Sequence, residues 1–420
     1  MAKVFPFQPY RYTPKAGEAA NLVSQPYDKI PDELQEQYYR ASPYNVIRVI
    51  KGKPEPSDNE ANNVYTRAAK TLDQWIAEGI LAQDAEPGFY PYFQRFEHPD
   101  SGETLERKGF IGLFQLEEYE AGVMHRHELT HSGPKLDRLQ LARHTHVYFE
   151  QLFTLYDDPD FVIDRHLEKA AKTEPLLAAD EGGIVHRLWR ISDPAAAAEI
   201  QAAMEHKKLL IADGHHRYET ALTFFRENPG LPGAGKVMMT FVNMRGSGLV
   251  VLATHRILDG LSGFGSAPVL ERAKESFEVE RLDSTEALRK KLDTSPPEAC
   301  VIGGVFASDR GAYLFTGKNS AAGTHAAARL EVAVLHQELL GKALGISEED
   351  VRELKNIRYV RGFQPAVDEV RSGKAQAAFL LRPVEVDQVA EIAFAGGVMP
   401  QKSTDFYPKL LSGLTMYRFG

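Results

Sequence analysis

The 420-residue sequence predicts a mixed α/β protein. Three observations predict it: apolar runs bounded by turn residues, amphipathic helical stretches between those runs, and a composition of 43% hydrophobic and 25% charged residues. The length exceeds one typical core, which implies two or three domains or one core with a large insertion. The expected organisation is an N-terminal α/β region over 1–258, an inserted α+β subdomain over 259–350, and a C-terminal segment over 351–420 that returns to the core.

The elements follow in chain order. The opening forty residues are rich in Pro and Tyr with little period, and NVIRVI (45–50) reads as a short buried strand. Ser57 and Glu60 have capping-box spacing, and Val64, Ala68, Leu72, Trp75 and Ile76 share one helical face that ends at Gly79. FYPYFQRFE and TLERKGFIGLFQL flank HPDSGE, a hairpin pattern. Residues 136–155 read mostly as helix, IVHRLWRI (184–191) as a strand, and the Ala-rich stretch after Pro194 as a helix. Residues 208–212 read as a strand, 213–217 as a tight turn and 218–226 as a helix. KVMMTFVNM, RGSG and LVVLATHRIL read as a second hairpin, and 261–315 as helix, strand, helix, strand, strand.

Charge and cysteine usage narrow the function classes. A formal net charge of −9 argues against a general nucleic-acid binder, which needs a basic face. The lone Cys300 excludes an internal disulfide framework and a Cys-rich metal site, and fits a reducing cytoplasm. The N-terminal stretch lacks a signal-like apolar region, and no run approaches the roughly 20 apolar residues of a membrane span. A cytoplasmic location with no membrane partner is expected.

The densest chemistry lies in LLIADGHHRYETAL, 209–222. A strand, loop and helix in that order direct backbone N–H groups and the positive helix end at whatever lies above the loop, and an anion is the natural occupant. Arg217 offers a forked donor, His215 and His216 can donate or shuttle protons, Asp213 can bind magnesium or act as a base, and Gly214 permits close approach. The bland alternative is that Asp213 caps the helix, Arg217 pairs with Glu219 or another carboxylate, and the histidines are surface residues.

Three further motifs compete. His127-Glu128-Leu129-Thr130-His131 is a literal H-E-x-x-H, with Glu150 downstream as a third zinc ligand to consider. Gly122 and Ser132-Gly133-Pro134 leave little room for a zinc-binding helix there, and the alternative is a polar loop. Gly230 to Lys236 spells G-x-x-x-x-G-K, but Val237 replaces the magnesium-binding hydroxyl and a helix precedes it, so an ordinary loop is expected. MPQKSTDFYPKLLSGL, 399–414, sets Lys402, Ser403, Thr404 and Lys409 beside Phe406 and Tyr407, where lysines can neutralise phosphate or simply be solvated. Pro26-Tyr27-Asp28 is a smaller ambiguity of the same kind, and Cys300 in ACVIGG reads as a buried thiol.

Taken in order, PYD, HE-x-T with PK-x-DR, ADGHHRYETAL, THR, and MPxKST with FYPKLLSGL resemble the bacterial and archaeal family named domain of unknown function 1015. The resemblance runs from Pro26 to the end. It places His127, Glu128, Thr130, Pro134, Lys135, Asp137 and Arg138 on the family's pattern, but not His131, which weakens the zinc reading. More distantly, DGHHRYE resembles the phosphate-binding box of the ParB and sulfiredoxin superfamily, which includes archaeal free-serine kinases.

That resemblance implies a ParB/sulfiredoxin-like nucleotide-binding core. Gly214, His215, Arg217, Arg138, Lys402, Ser403, Thr404 and Lys409 are then expected on phosphate. Asp213 carries Mg2+ and catalysis, and Glu128 or His216 receives the acceptor proton. The implied activity is phosphoryl transfer from ATP or ADP to a small hydroxylated metabolite, serine-like among the candidates. The implied cleft surrounds 213–217 and is closed by the 127–138 loop and the 402–409 tail. The alternatives are a zinc hydrolase using His127, Glu128 and His131, and a nucleotide-binding sensor without turnover.

Overall fold

A computed structural model of the chain describes residues 1–128, 132–318 and 326–420. It is a mixed α/β structure that divides into two compact units. The first comprises residues 1–126, 130–249 and 408–420, and the second residues 127–129 and 250–407.

The first unit is built on a sheet of nine strands among the described residues. Its order is Met124–His125, Leu209–Asp213, Leu152–Tyr156, Lys236–Asn243, Thr104–Gln115, Tyr90–Glu97, Ile184–Leu188 and Leu177–Glu181, with Val4–Phe5 also paired to Thr104–Gln115. The Tyr90–Glu97 and Thr104–Gln115 strands form the expected hairpin around HPDSGE, with Glu97 opposite Thr104. On one side, Ile163 and Leu167 of the Val162–Ala170 helix and Ile200 and Met204 of the Pro194–Met204 helix join Phe93, Phe110, Trp189 and Phe241 in a buried core. The second of these helices starts where expected, because Asp193 accepts from the Ala195 N–H and Pro194 presets the first turn.

Several local expectations are overturned. NVIRVI is not a strand: Ile47–Ile50 is a helical turn, and Asn45 sets it by accepting from the Ile47 N–H at 2.9 Å. The helix read over 136–155 spans Ser132–Thr145 and stops because His146 has φ +53°, which a continuing right-handed helix does not allow. The strands Val147–Tyr148 and Leu152–Tyr156 follow. The cap of the Val64–Ala77 helix is Asn63 with Thr66, rather than Ser57 with Glu60. The second hairpin does not form. Lys236–Asn243 has Leu152–Tyr156 on one edge and Thr104–Gln115 on the other, while Thr254–Leu258 belongs to the second unit.

The second unit holds a six-stranded sheet among the described residues, ordered Phe277–Leu282, Ala312–Gly317, Val301–Phe306, Ala377–Leu380, Thr254–Leu258 and Ile357–Arg361. Helices Ser266–Ala273 and Thr285–Thr294 occur in the expected helix, strand, helix, strand, strand run. Leu288, Leu292, Val301, Ala366, Val370 and Leu380 share its core. Cys300 is half-buried, and burial pushes its thiol up to about 12, so it is a poor nucleophile. No helix among the described residues is long and apolar enough to cross a membrane.

Candidate functional site

The strand Leu209–Asp213 is buried through Ala212 and surfaces at Asp213, whose side chain is 28% exposed. Gly214 then turns the chain at φ +99°, a conformation that favours glycine, and the His215–Glu227 helix begins at once. The helix therefore starts three residues earlier than its sequence pattern indicates. A Cβ on Gly214 would also meet the Arg217 guanidinium at 3.0 Å. A helix start carries the positive end of the helix dipole, and here it directly follows the strand end.

Arg217 pairs with Asp213, not with Glu219: its Nη2 lies 3.4 Å from the Asp213 carboxylate, and its Nη1 donates to the Gln151 carbonyl at 2.6 Å. Glu219 instead pairs with Lys135 and, at 3.6 Å, with Arg126. Burial alone would raise the Asp213 pKa, but Lys409, Arg217, Lys29 and His215 together hold the carboxyl well below its ordinary range. It is therefore ionised at neutral pH, under the field of the Lys409, Arg217 and Lys29 cations. His215 is buried and His216 half-buried in the first helical turn.

The sheet also explains how Lys409, 196 residues further along the chain, reaches this place. Four buried side chains hold the 408–412 segment, three of them through its backbone carbonyls. Arg107 Nη2 donates to the Pro408 carbonyl at 2.5 Å, Gln94 Nε2 to the Lys409 carbonyl at 2.8 Å and Gln151 Nε2 to the Leu411 carbonyl at 3.0 Å. Glu150 accepts from Ser412 Oγ at 3.2 Å.

Arg107 is the residue that the sequence reading missed. It is 1% exposed, its guanidinium lies 4.5 Å over the Phe153 ring, and Phe153 is paired with Asp213 across neighbouring strands. Nε donates to Gln94 Oε1 at 3.0 Å, Nη2 also reaches that oxygen, and Nη1 has no hydrogen-bond partner among the described residues. Burial lowers its pKa to about 10, while Tyr92 and Asp213 work the other way. A buried cation with an open donor is costly unless an anion completes it. The only sequence signal is an arginine inside the strand pattern TLERKGF.

Next to it, His186 Nδ1 bonds Tyr92 Oη at 2.6 Å, and its Nε2 has no partner among the described residues. Burial, helped by Arg107, lowers the His186 pKa to about 3, so the ring is neutral. Arg138 is differently used. Its Nη1 donates to Glu150 at 3.2 Å, its Nε and Nη2 to Asp137, and its Nη2 to the Ile50 carbonyl, while the Tyr27 ring lies 3.9 Å from the guanidinium. Arg138 is thus built into the wall that carries Glu150, which also accepts from the Tyr27 N–H at 3.1 Å.

The remaining candidates gather in the second unit. His127 Nε2 bonds Thr404 Oγ1 at 2.8 Å, the Met399 N–H donates to the His127 carbonyl, and Glu128 accepts from the Lys402 N–H at 3.3 Å. Ser403 Oγ donates to the Pro400 carbonyl, and the buried Arg256 donates to the carbonyls of Gln401 and Lys402. Two motifs almost 275 residues apart, His127-Glu128 and Lys402-Ser403-Thr404, are therefore one hydrogen-bonded cluster. Lys409 belongs to the first unit instead.

For zinc, His127 and Glu128 sit in a bend before the helix that starts at Ser132, not on a helical face, and Glu150 is engaged as described. His131 and Thr130 lie outside the described residues. No group of three His, Cys, Asp or Glu side chains suited to a metal occurs among the described residues.

No curated protein matches the chain. Solved structures with some likeness include a free serine kinase in complex with AMP, 14% identical with a TM-score of 0.36, covering 70% of this chain and 89% of that one. A mutant free serine kinase in complex with ADP is 13% identical, with a TM-score of 0.37 and the same coverage. A conserved hypothetical protein from Pyrococcus furiosus is 14% identical with a TM-score of 0.35, covering 70% of this chain and 91% of that one. The family model described as "Protein of unknown function (DUF1015)" matches residues 4–336, and the chain belongs to that family.

Proposed function

We propose that the chain is a nucleotide-dependent phosphotransferase whose polyphosphate site is the end of the Leu209–Asp213 strand and the first turn of the helix after it. The observation that carries this reading is the convergence of Arg217, at 3.4 Å, and the Lys409 and Lys29 cations on one partly exposed, ionised carboxylate, Asp213. Several cations converging on one carboxylate at a helix start is the pattern that a phosphate chain and a divalent ion together require. The buried Arg107 guanidinium, whose charge acts on Asp213, supports the same reading by adding positive potential at this place.

Each residue then has a role. Gly214 lets the phosphate chain approach the backbone, the N–H groups of the first turn and Arg217 hold its oxygens, and Lys409 and Arg107 neutralise it. The ionised Asp213 suits Mg2+ as a hard oxygen ligand, and a Mg2+ ion bound with the nucleotide would neutralise phosphate charge. The acceptor is a small hydroxylated metabolite, serine among the candidates. Its oxygen attacks the terminal phosphorus of ATP or ADP, the bond from that phosphorus to the bridging oxygen breaks, and His216 takes the hydroxyl proton. A nucleotide one phosphate shorter leaves.

The test is phosphorus NMR of the full chain with Mg2+, ATP or ADP, and a panel of small hydroxylated acceptors. A new phosphomonoester is expected, at a rate that falls by orders of magnitude in Arg217→Ala and recovers partly in Arg217→Lys. Unchanged turnover in Arg217→Ala removes that residue from the mechanism. Nucleotide binding without any phosphoester would favour the sensor alternative.

A further inference from the structure

A cavity of about 350 Å3 in the first unit lies on the other side of the wall that carries Arg138 and Tyr27. That volume is within the range of small-molecule sites, roughly 300–1,000 Å3. Val49, Ile50, Val64 and Leu141 supply apolar surface, and Tyr27 and Tyr65 supply aromatic surface. Such a lining suits a flat heteroaromatic ring, which gains by stacking and by leaving water.

One polar group in it is set for a hydroxyl. Asp137 accepts from Tyr65 Oη at 2.8 Å and from Arg138 Nε at 2.9 Å and Nη2 at 2.6 Å, so both carboxylate oxygens are held in place. Its side chain nevertheless stays 42% exposed. Oδ2 is filled by the two Arg138 bonds, whereas Oδ1, with Tyr65 alone, keeps a further lone pair to accept a hydroxyl.

The cavity also adjoins the polyphosphate site through shared residues. Arg138 bonds Glu150, Glu150 accepts from the Tyr27 N–H, and Tyr27 and Asp28 are close enough to Arg217 to raise its pKa. Lys29, the next residue in the same short helical turn, acts on Asp213. The Tyr27–Lys29 turn therefore borders the cavity at one end and the Asp213 cations at the other.

We infer that this cavity is the nucleoside subsite: the base lies among Val49, Ile50, Val64, Leu141 and the two tyrosines, and a ribose hydroxyl binds Asp137 Oδ1. The inference rests on the polyphosphate reading of the Asp213 site and extends it to the kind of donor. It makes the donor a ribonucleotide rather than inorganic polyphosphate.

Isothermal titration of the full chain with Mg2+ tests it, using ADP, 2′,3′-dideoxy-ADP and inorganic tripolyphosphate as probes. Wild type should bind ADP at least about tenfold more tightly than either of the other two. Val64→Trp fills the cavity from a half-exposed position, and should reduce ADP affinity to that of tripolyphosphate while leaving tripolyphosphate unchanged. Asp137→Asn should abolish the preference for ADP over its dideoxy analogue. ADP binding no tighter than tripolyphosphate, or ADP affinity unchanged in Val64→Trp, overturns the subsite and leaves the phosphate reading standing. If Val64→Trp does not fold, equal binding of ADP and dideoxy-ADP by wild type overturns it. Failure of all three probes to bind wild type overturns the phosphate reading, and the subsite with it.

Discussion

Asp213 and Arg217 face each other at 3.4 Å across the first turn of one helix, and the second nitrogen of Arg217 is tied to the Gln151 carbonyl at 2.6 Å. The pair is local in sequence, yet its orientation depends on a residue 66 positions earlier, just before the Leu152–Tyr156 strand. The arginine is held against the carboxylate rather than collapsed onto it, since 3.4 Å is long for a charged hydrogen bond.

Gly214 links that geometry to stability. Gly214→Ala places a side chain at φ +99° and 3.0 Å from the Arg217 guanidinium. The left-handed conformation alone should cost roughly 1–2 kcal/mol in urea unfolding. Displacement of Arg217 should weaken binding of Mg2+-ADP at the same time. A variant as stable as wild type that binds ADP normally would show that the close approach at Gly214 is unimportant.

Asp213 predicts an acid-side effect. Its folded pKa is depressed below the unfolded value, so its contribution is complete above the unfolded pKa, about 4, and is lost as pH falls through the folded one. The stability difference between wild type and Asp213→Asn should be constant from pH 7 to pH 5 and shrink below pH 4. Urea titrations across that range read it, and a difference that grows toward low pH would contradict the sign.

His186 predicts a loss of stability at milder acidity. Its pKa of about 3 against an unfolded value of 6.5 means that the unfolded chain takes the proton first between those limits. Stability should fall by about 1.4 kcal/mol per pH unit on going below pH 6 from this group alone. His186→Phe should flatten that slope. The buried His255 and half-buried His336, lowered to about 4 and about 3, add slopes of the same sign in the second unit.

Gln94 and Arg107 predict a split between folding and binding. Gln94→Leu leaves a buried guanidinium short of an acceptor and should lose about 1.5–3 kcal/mol in urea unfolding. Arg107→Met removes the charge together with its demand for partners, so it should be milder for stability than Gln94→Leu. It should still weaken tripolyphosphate binding. Normal tripolyphosphate affinity in Arg107→Met would take Arg107 out of the anion site.

What the sequence made legible was local. The apolar run 209–212, the Gly214 turn and the helix after it could be read directly, because each depends on a residue's own conformational preference and its near neighbours. The HPDSGE hairpin and the Pro194 helix start were legible for the same reason. Short apolar stretches were not. Ile47–Ile50 became a helical turn, and Lys236–Asn243 took partners on both edges instead of the strand after it, since an apolar run alone carries no record of what will pair with it.

The sequence by itself therefore determined the family, the mixed α/β class and the strand, turn and helix that present Asp213, Gly214 and Arg217. Only the tertiary structure decided that Arg107 is a buried cation with an open donor, that Lys409 acts on Asp213, and that His127-Glu128 and Lys402-Ser403-Thr404 form one cluster. The contacts that place Lys409 join residues up to 315 positions apart, Gln94 to the Lys409 carbonyl and Arg107 to the Pro408 carbonyl. Burial and electrostatic coupling arise when the sheet assembles, and no local preference encodes them.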